Sequence, residues 1–171
     1  TESDVTKCVT LVKKLIDQDK VLAIIGPSST GESLALIDTI EKAEIPLISC
    51  AASAQIVQPV KKWVFKTPQS DSLAVSEIFD YLKKKGISKV ALLTSSGGFG
   101  VTGKAALEAA APDAGITLVA KETFGDNDLD MTSQLTRIKG TDAQAVICWG
   151  TNPGPAIIAK NMRQLNMSIP L

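Results

Sequence analysis

The chain contains no histidine. A Ser-His-Asp triad, a Cys-His dyad and every histidine-bearing metal site are therefore excluded within it. Its three cysteines, Cys8, Cys50 and Cys148, are too scattered for a zinc ribbon or a CxxC redox pair. Cys8 falls on the apolar side of a predicted helix and Cys148 inside an apolar strand, so both read as small buried hydrophobes. Net charge is also lacking: 18 Lys and Arg balance 18 Asp and Glu. That leaves no basic footprint for nucleic acid. The basic runs Lys61-Lys62 and Lys83-Lys84-Lys85 are short, and the second precedes Gly86 as the last turn of a helix does. No apolar run approaches the ~20 residues of a membrane-spanning helix.

What is present is an ordinary core-forming composition, 44% hydrophobic and 21% charged over 171 residues. This is enough for one domain or two small ones. The organising stretch is Val21-Leu-Ala-Ile-Ile-Gly26-Pro-Ser-Ser-Thr-Gly31-Glu-Ser-Leu-Ala-Leu. Val21 to Ile25 is a continuous apolar run, expected as a strand covered on both faces. Gly26 ends it, three hydroxyls follow at Ser28, Ser29 and Thr30, and Leu34, Ile37 and Ile40 recur at helical spacing. A helix N-terminus carries unpaired N–H groups and partial positive charge. Ser29 or Thr30 serves there as a cap, or the hydroxyls and N–H groups together form a site for a carboxylate or phosphate.

The rest of the chain repeats the strand–turn–helix theme. A helix over Thr1–Asp19 opens it, with Asp4 or Thr6 as cap and Val5, Cys8, Val9, Val12, Leu15 and Ile16 on one face. Starting on a helix, the chain is expected to begin mid-fold. A strand at 45–49 leads into the all-small stretch Cys50-Ala51-Ala52-Ser53-Ala54, which lets backbone approach a ligand or simply makes a tight loop. Trp63-Val64-Phe65 is a third strand. The polar stretch Lys66-Thr67-Pro68-Gln69-Ser70-Asp71-Ser72 is the candidate boundary. Beyond it come a helix on Leu73, Ile78, Phe79 and Leu82, a strand at 90–93, a glycine-rich turn at 94–100 and a helix at 102–111. A strand at 116–124, an acidic loop at 126–130, a helix at 131–139, a strand at 145–149, a polar turn at 150–154 and a final helix follow. Ile169-Pro170-Leu171 reads as the start of another strand, so the chain is expected to end mid-fold as well. Alternating strands and helices give an α/β fold of parallel sheets with helices on both faces. Ligands of such folds sit beyond the carboxyl ends of the strands.

Several motifs are near matches only. Gly98-Phe-Gly100-Val-Thr-Gly103 has GxGxxG spacing, with Glu122 as a ribose partner. However, Thr94 stands where the first glycine belongs, and the glycines fall in the helix beyond it. A nucleotide-dependent enzyme built on this turn is the rival functional reading. A Walker A loop fails because Ala105 replaces the Mg²⁺-holding Ser or Thr. Asp126, Asp128 and Asp130 lack the glycine and the bidentate glutamate of a calcium loop. No metal site and no cofactor is expected.

With Gly26-Pro-Ser-Ser-Thr-Gly31, Ile45-Pro-Leu-Ile-Ser49-Cys-Ala-Ala-Ser53, Phe65-Lys-Thr-Pro-Gln-Ser-Asp71 and Asp130-Met-Thr-Ser-Gln-Leu-Thr-Arg-Ile-Lys139, the chain resembles the type I periplasmic solute-binding proteins of ABC importers, in the branched-chain amino acid-binding branch. The resemblance implies two α/β lobes, 1–66 and 67–171, closing like a hinged clamp. It implies a non-enzymatic protein, periplasmic or held at the outer face of the cytoplasmic membrane, that presents a small amino or organic acid to a permease. The same module used as a sensor is the close variant. By the resemblance, Thr30 binds the ligand carboxylate with Ser29 beside it, and the Ala51 carbonyl and Ser53 hydroxyl receive the α-amino group. Phe99 and Thr151 stand where members often carry tyrosine, so both phenolic hydroxyls are lost and room is left for an aromatic or larger acid. Phe99 and Trp149 wall the ligand or belong to the core. The family's opening strand–helix unit, its acidic partner for the amine and its return segments are missing, so about half a site and exposed apolar surface prone to self-association are expected.

Overall fold

The computed structural model describes residues 1–151 and 153–171; Asn152, in the turn expected over 150–154, lies outside the described residues. The chain divides into two compact units, Thr1–Asp71 and Ser72–Leu171.

In the first unit, α1 (Val5–Asp17) is capped by Asp4, whose carboxylate accepts the Lys7 N–H at 2.7 Å. β1 (Ile24–Ile25), α2 (Thr30–Ala43), β2 (Leu47–Ser49), a 3₁₀ turn (Ala54–Ile56) and β3 (Val64–Lys66) follow. The three strands form a parallel sheet in the order β1-β2-β3. Ile24, Leu47 and Val64 stand in register and are buried with Cys8 and Val12 of α1 and Leu36 and Ile40 of α2. Both helices thus cover the same face of this sheet.

The alternate row, Ile25, Ile48 and Phe65, points the other way, and Ile25 is 79% and Phe65 51% exposed. This corrects the expectation that the run from Val21 to Ile25 is one strand covered on both faces. The ladder is also shorter than the apolar run. The Val21 N–H is spent on the Leu15 carbonyl at the end of α1, so Val21 cannot join the sheet. Leu22 is exposed, and pairing starts at Ile24.

In the second unit, α3 (Asp71–Lys84), β4 (Lys89–Ser95), α4 (Gly98–Ala110), β5 (Thr117–Phe124), α5 (Thr132–Lys139), β6 (Ala145–Trp149) and α6 (Gly154–Gln164) alternate. The parallel sheet runs β5-β4-β6, with β4 central and buried from Val90 to Ser95. Here both faces are covered. Val90, Leu92 and Ile147 pack with Val75, Phe79, Leu82 and Leu107. Ala91, Leu93 and Val146 pack with Phe124, Met131, Leu135 and Ile158.

α3 turns Val75, Phe79 and Leu82 inward, so Leu73, expected in the core, is exposed. Lysines 83 and 84 occupy its last turn, where cations suit the helix dipole, and Gly86 takes φ +69°, which a side chain would resist. Residues 169–171 form no strand, although the Val146 N–H donates to the Pro170 carbonyl at 2.9 Å. The chain is an α/β protein of parallel sheets and helices.

Candidate functional site

In the first unit the hydroxyl-bearing turns at the ends of β1 and β2 lie together. Gly26 takes φ +105° and turns the backbone after β1. The Cys50 N–H then donates to the Pro27 carbonyl at 3.0 Å, which ties the two turns. Ser29 is the α2 N-cap: its Oγ accepts the Glu32 N–H at 3.3 Å. Thr30 begins the helix and is 1% exposed, yet its Oγ1 has no hydrogen-bond partner among the described residues. One of the two expected caps is therefore the cap, and the other is a buried hydroxyl with nothing to bond. The first N–H groups of the helix, at Thr30 and Gly31, have no partner within it.

On the β2 side, Ala51 and Ser53 are buried, and the Ser53 Oγ accepts the Gln55 N–H at 3.2 Å as cap of the 3₁₀ turn. Beneath the turns, Ser33 and Ser49 are fully buried with their hydroxyl oxygens 2.8 Å apart. The Ser49 Oγ accepts the Ala51 N–H at 3.1 Å, and the Ser33 hydroxyl donates to the Ser29 carbonyl at 3.0 Å. From outside, the Lys66 ammonium donates to the carbonyls of Ala52 at 3.2 Å and Pro68 at 2.6 Å. Sequence reasoning singled out Ser29, Thr30, Ala51 and Ser53 and missed Ser33, Ser49 and Lys66. A signal existed: Ser33 shares a helical face with Leu36 and Ile40, and Ser49 an inward strand face with Leu47. A hydroxyl in a core stripe needs a partner there.

The two expected residues of the second unit are placed differently from one another. Phe99, in the first turn of α4, is partly buried and packs on Trp149 with ring centroids 5.6 Å apart and planes tilted 34°. Trp149 is a core residue, 6% exposed, and its indole N–H has no acceptor among the described residues. Thr151 is exposed on the turn after β6.

The glycines of the GxGxxG spacing have packing roles. A Cβ at Gly100 would collide with the Ser95 backbone and one at Gly103 with the Trp149 indole. Glu122, the would-be ribose partner, is held by Arg137 through two bonds of 3.0 and 2.6 Å. In the acidic loop Asp128 accepts the Gly125 N–H at 2.7 Å, and Asp130 the Thr132 N–H at 2.6 Å. Hydrogen bonding from Thr132 holds the Asp130 carboxyl below its usual range. No group of three or more metal-ligating side chains occurs among the described residues. Cys8 is buried, burial and the neighbouring Glu32 raising its thiol pKa; Cys148 is partly buried, and burial pushes its thiol up to about 11. Cys50 is exposed.

No helix among the described residues is long and apolar enough to cross a membrane. A curated relative, taste receptor type 1 member 1 of Homo sapiens, is 31% identical over 104 residues, which is 60% of this chain and 12% of that protein. An extracellular ligand-binding receptor from Rhodopseudomonas palustris HaA2 superposes with a TM-score of 0.93 at 33% identity, over 98% of this chain and 47% of that one. A leucine binding protein, LivK, from Thermotoga maritima MSB8 superposes with a TM-score of 0.92 at 23% identity, over 99% of this chain and 49% of that one. The chain thus spans about half the length of these solved relatives. The family described as periplasmic binding protein is matched over residues 1–169. The chain belongs to the periplasmic binding protein family.

Proposed function

We propose that this chain belongs to a solute-binding protein of an ABC importer that captures a small amino acid, branched-chain or otherwise apolar, or a related carboxylic acid, and presents it to a permease from the periplasmic side. The observation that carries this reading is the buried, unpartnered Thr30 hydroxyl at the N-terminus of α2. A carboxylate there would accept the Thr30 hydroxyl proton and the free N–H groups of the first turn, in a field that favours negative charge. Ser29 closes the cap beside it. The Ala51 carbonyl and the Ser53 oxygen would accept an α-ammonium group. Neutral hydrogen bonds on both sides suit a zwitterion and need no counter-ion. Residues 1–66 and 67–171 are assigned to two lobes. In the second unit, taken by itself, Phe99 is proposed as an apolar ligand contact and Thr151 as a hydroxyl contact on the turn after β6.

The test is isothermal titration of the natural full-length protein carrying this sequence with L-leucine, L-valine and 4-hydroxybenzoate. Thr30→Val keeps the shape and removes the hydroxyl. A hydrogen bond to a charged group is worth about 1.5–3 kcal/mol, so affinity for the ligand that binds should fall roughly tenfold or more. Because the hydroxyl has no protein partner, the ligand-free variant should melt no lower than the parent. Unchanged affinity would overturn the assignment. The likeness to a taste receptor supports a second reading, a ligand-sensing module.

A further inference from the structure

We infer that Ser33 and Ser49 are positioning residues: a buried one-way chain of hydroxyl hydrogen bonds through which the α2 cap and the β2 turn hold each other in place. This rests on the reading of those two turns as the ligand site. Neither serine reaches the surface, and neither has been assigned a ligand contact.

Each hydroxyl has one proton to give. The Ser33 proton goes to the Ser29 carbonyl at 3.0 Å. Across the 2.8 Å gap between the two oxygens Ser49 must therefore be the donor and Ser33 the acceptor. Ser49 in turn accepts the Ala51 N–H at 3.1 Å. The direction is fixed throughout: Ala51 N–H to Ser49, Ser49 to Ser33, Ser33 to the Ser29 carbonyl. One end is the residue whose carbonyl is to receive an amine. The other is the cap that precedes the residue whose hydroxyl is to hold a carboxylate. The chain therefore sets the spacing between the two halves of a zwitterion site. Hydrogen bonds in such a series polarise one another, and between fully buried groups a broken link leaves a costly orphan.

The test is selective ¹⁵N-alanine labelling of the natural full-length protein, with Ser33→Ala, Ser49→Ala, the double variant and Ser33→Thr. Ser33 is joined to Ala51 by hydrogen bonds through Ser49; a merely space-filling serine there would leave the Ala51 amide resonance where it is. The relay predicts that Ser33→Ala shifts it, and that Ser33→Thr, which retains a donor to the Ser29 carbonyl, restores it. In titrations with L-valine and with isovalerate, which lacks the amine, each alanine variant should weaken L-valine about fivefold, the size of one displaced neutral hydrogen bond, and isovalerate less. The double variant should lose no more than either single one, as expected of one unit. An unmoved Ala51 resonance in Ser33→Ala overturns the relay. A moved resonance with unchanged L-valine affinity overturns the positioning role. If the parent protein binds no probe among L-valine, L-leucine and 4-hydroxybenzoate, the ligand reading fails and the positioning role with it. The Ala51 resonance still reports separately whether the hydroxyl chain exists.

Discussion

Gly103 gives the sharpest test of the packing in the second unit. It lies in the middle of α4, where glycine is normally a liability, so replacing it with alanine should gain about 1 kcal/mol of helix propensity. Against this, a Cβ at Gly103 would sit inside van der Waals contact of three indole atoms of Trp149, Nε1, Cδ1 and Cε2. The ring cannot swing clear, because it is 6% exposed and backed by Phe99. Overpacking of this kind costs roughly 1–3 kcal/mol, and a clash with a rigid, trapped ring belongs at the upper end. The net expectation for Gly103→Ala is a loss of about 2 kcal/mol, or a urea midpoint lower by about 1 M at a typical slope. The assay is urea unfolding followed by far-UV circular dichroism, a probe that survives removal of either tryptophan. Repeating it with Trp149→Leu removes the obstructing ring, and there Gly103→Ala should be neutral or stabilising. The same loss in both backgrounds, or a gain in the parent, would refute the indole as the reason for this glycine.

Other outcomes follow from single contacts. Burial raises the Cys148 thiol to about 11 from an ordinary value of 9.0, so the folded state disfavours the thiolate. The unfolded chain loses that proton first as pH rises, so the contribution is whole below about pH 9 and is lost progressively towards pH 11. Denaturation midpoints of the parent should fall over that window more steeply than those of Cys148→Ala; parallel curves would exclude the effect. In native protein a thiol reagent at pH 8 should modify the exposed Cys50 and spare Cys8 and Cys148, as judged by intact mass. Lys66→Met deprives the Ala52 and Pro68 carbonyls of their donor and should destabilise the first unit by about 1–2 kcal/mol, read from Trp63 emission. An unchanged midpoint would mean that water replaces the ammonium without loss.

The α/β class and most elements were legible because short apolar runs alternate with stretches of helical periodicity. The expected strand at 145–149 is β6 residue for residue. Where the reading failed, a local backbone bond or the phase of a helix decided. Val21 was drawn from its strand by the Leu15 carbonyl. Leu73 lost its place in the core because Val75, Phe79 and Leu82 define a face that excludes it. At the candidate site the hydroxyls of Ser29, Thr30 and Ser53 could be picked out from their position after strands. The pairing of Ser33 with Ser49 could not, since periodicity shows which face a residue takes but not which residue it meets there.

The strands of the two units differ in length: β1, β2 and β3 have 2, 3 and 3 residues, whereas β4, β5 and β6 have 7, 8 and 5. Few main-chain rungs hold the first sheet, and one of its faces is open to solvent at Ile25 and Phe65. Amide protons there should exchange with deuterium well before those of β4, because short ladders open locally at little cost. The turns carrying Thr30 and Ala51 thus rest on the more readily opened half of the chain. A ligand held by them would slow exchange at 24–25 and 47–49, so capture of a solute and the local ordering of this sheet would be two readings of one equilibrium.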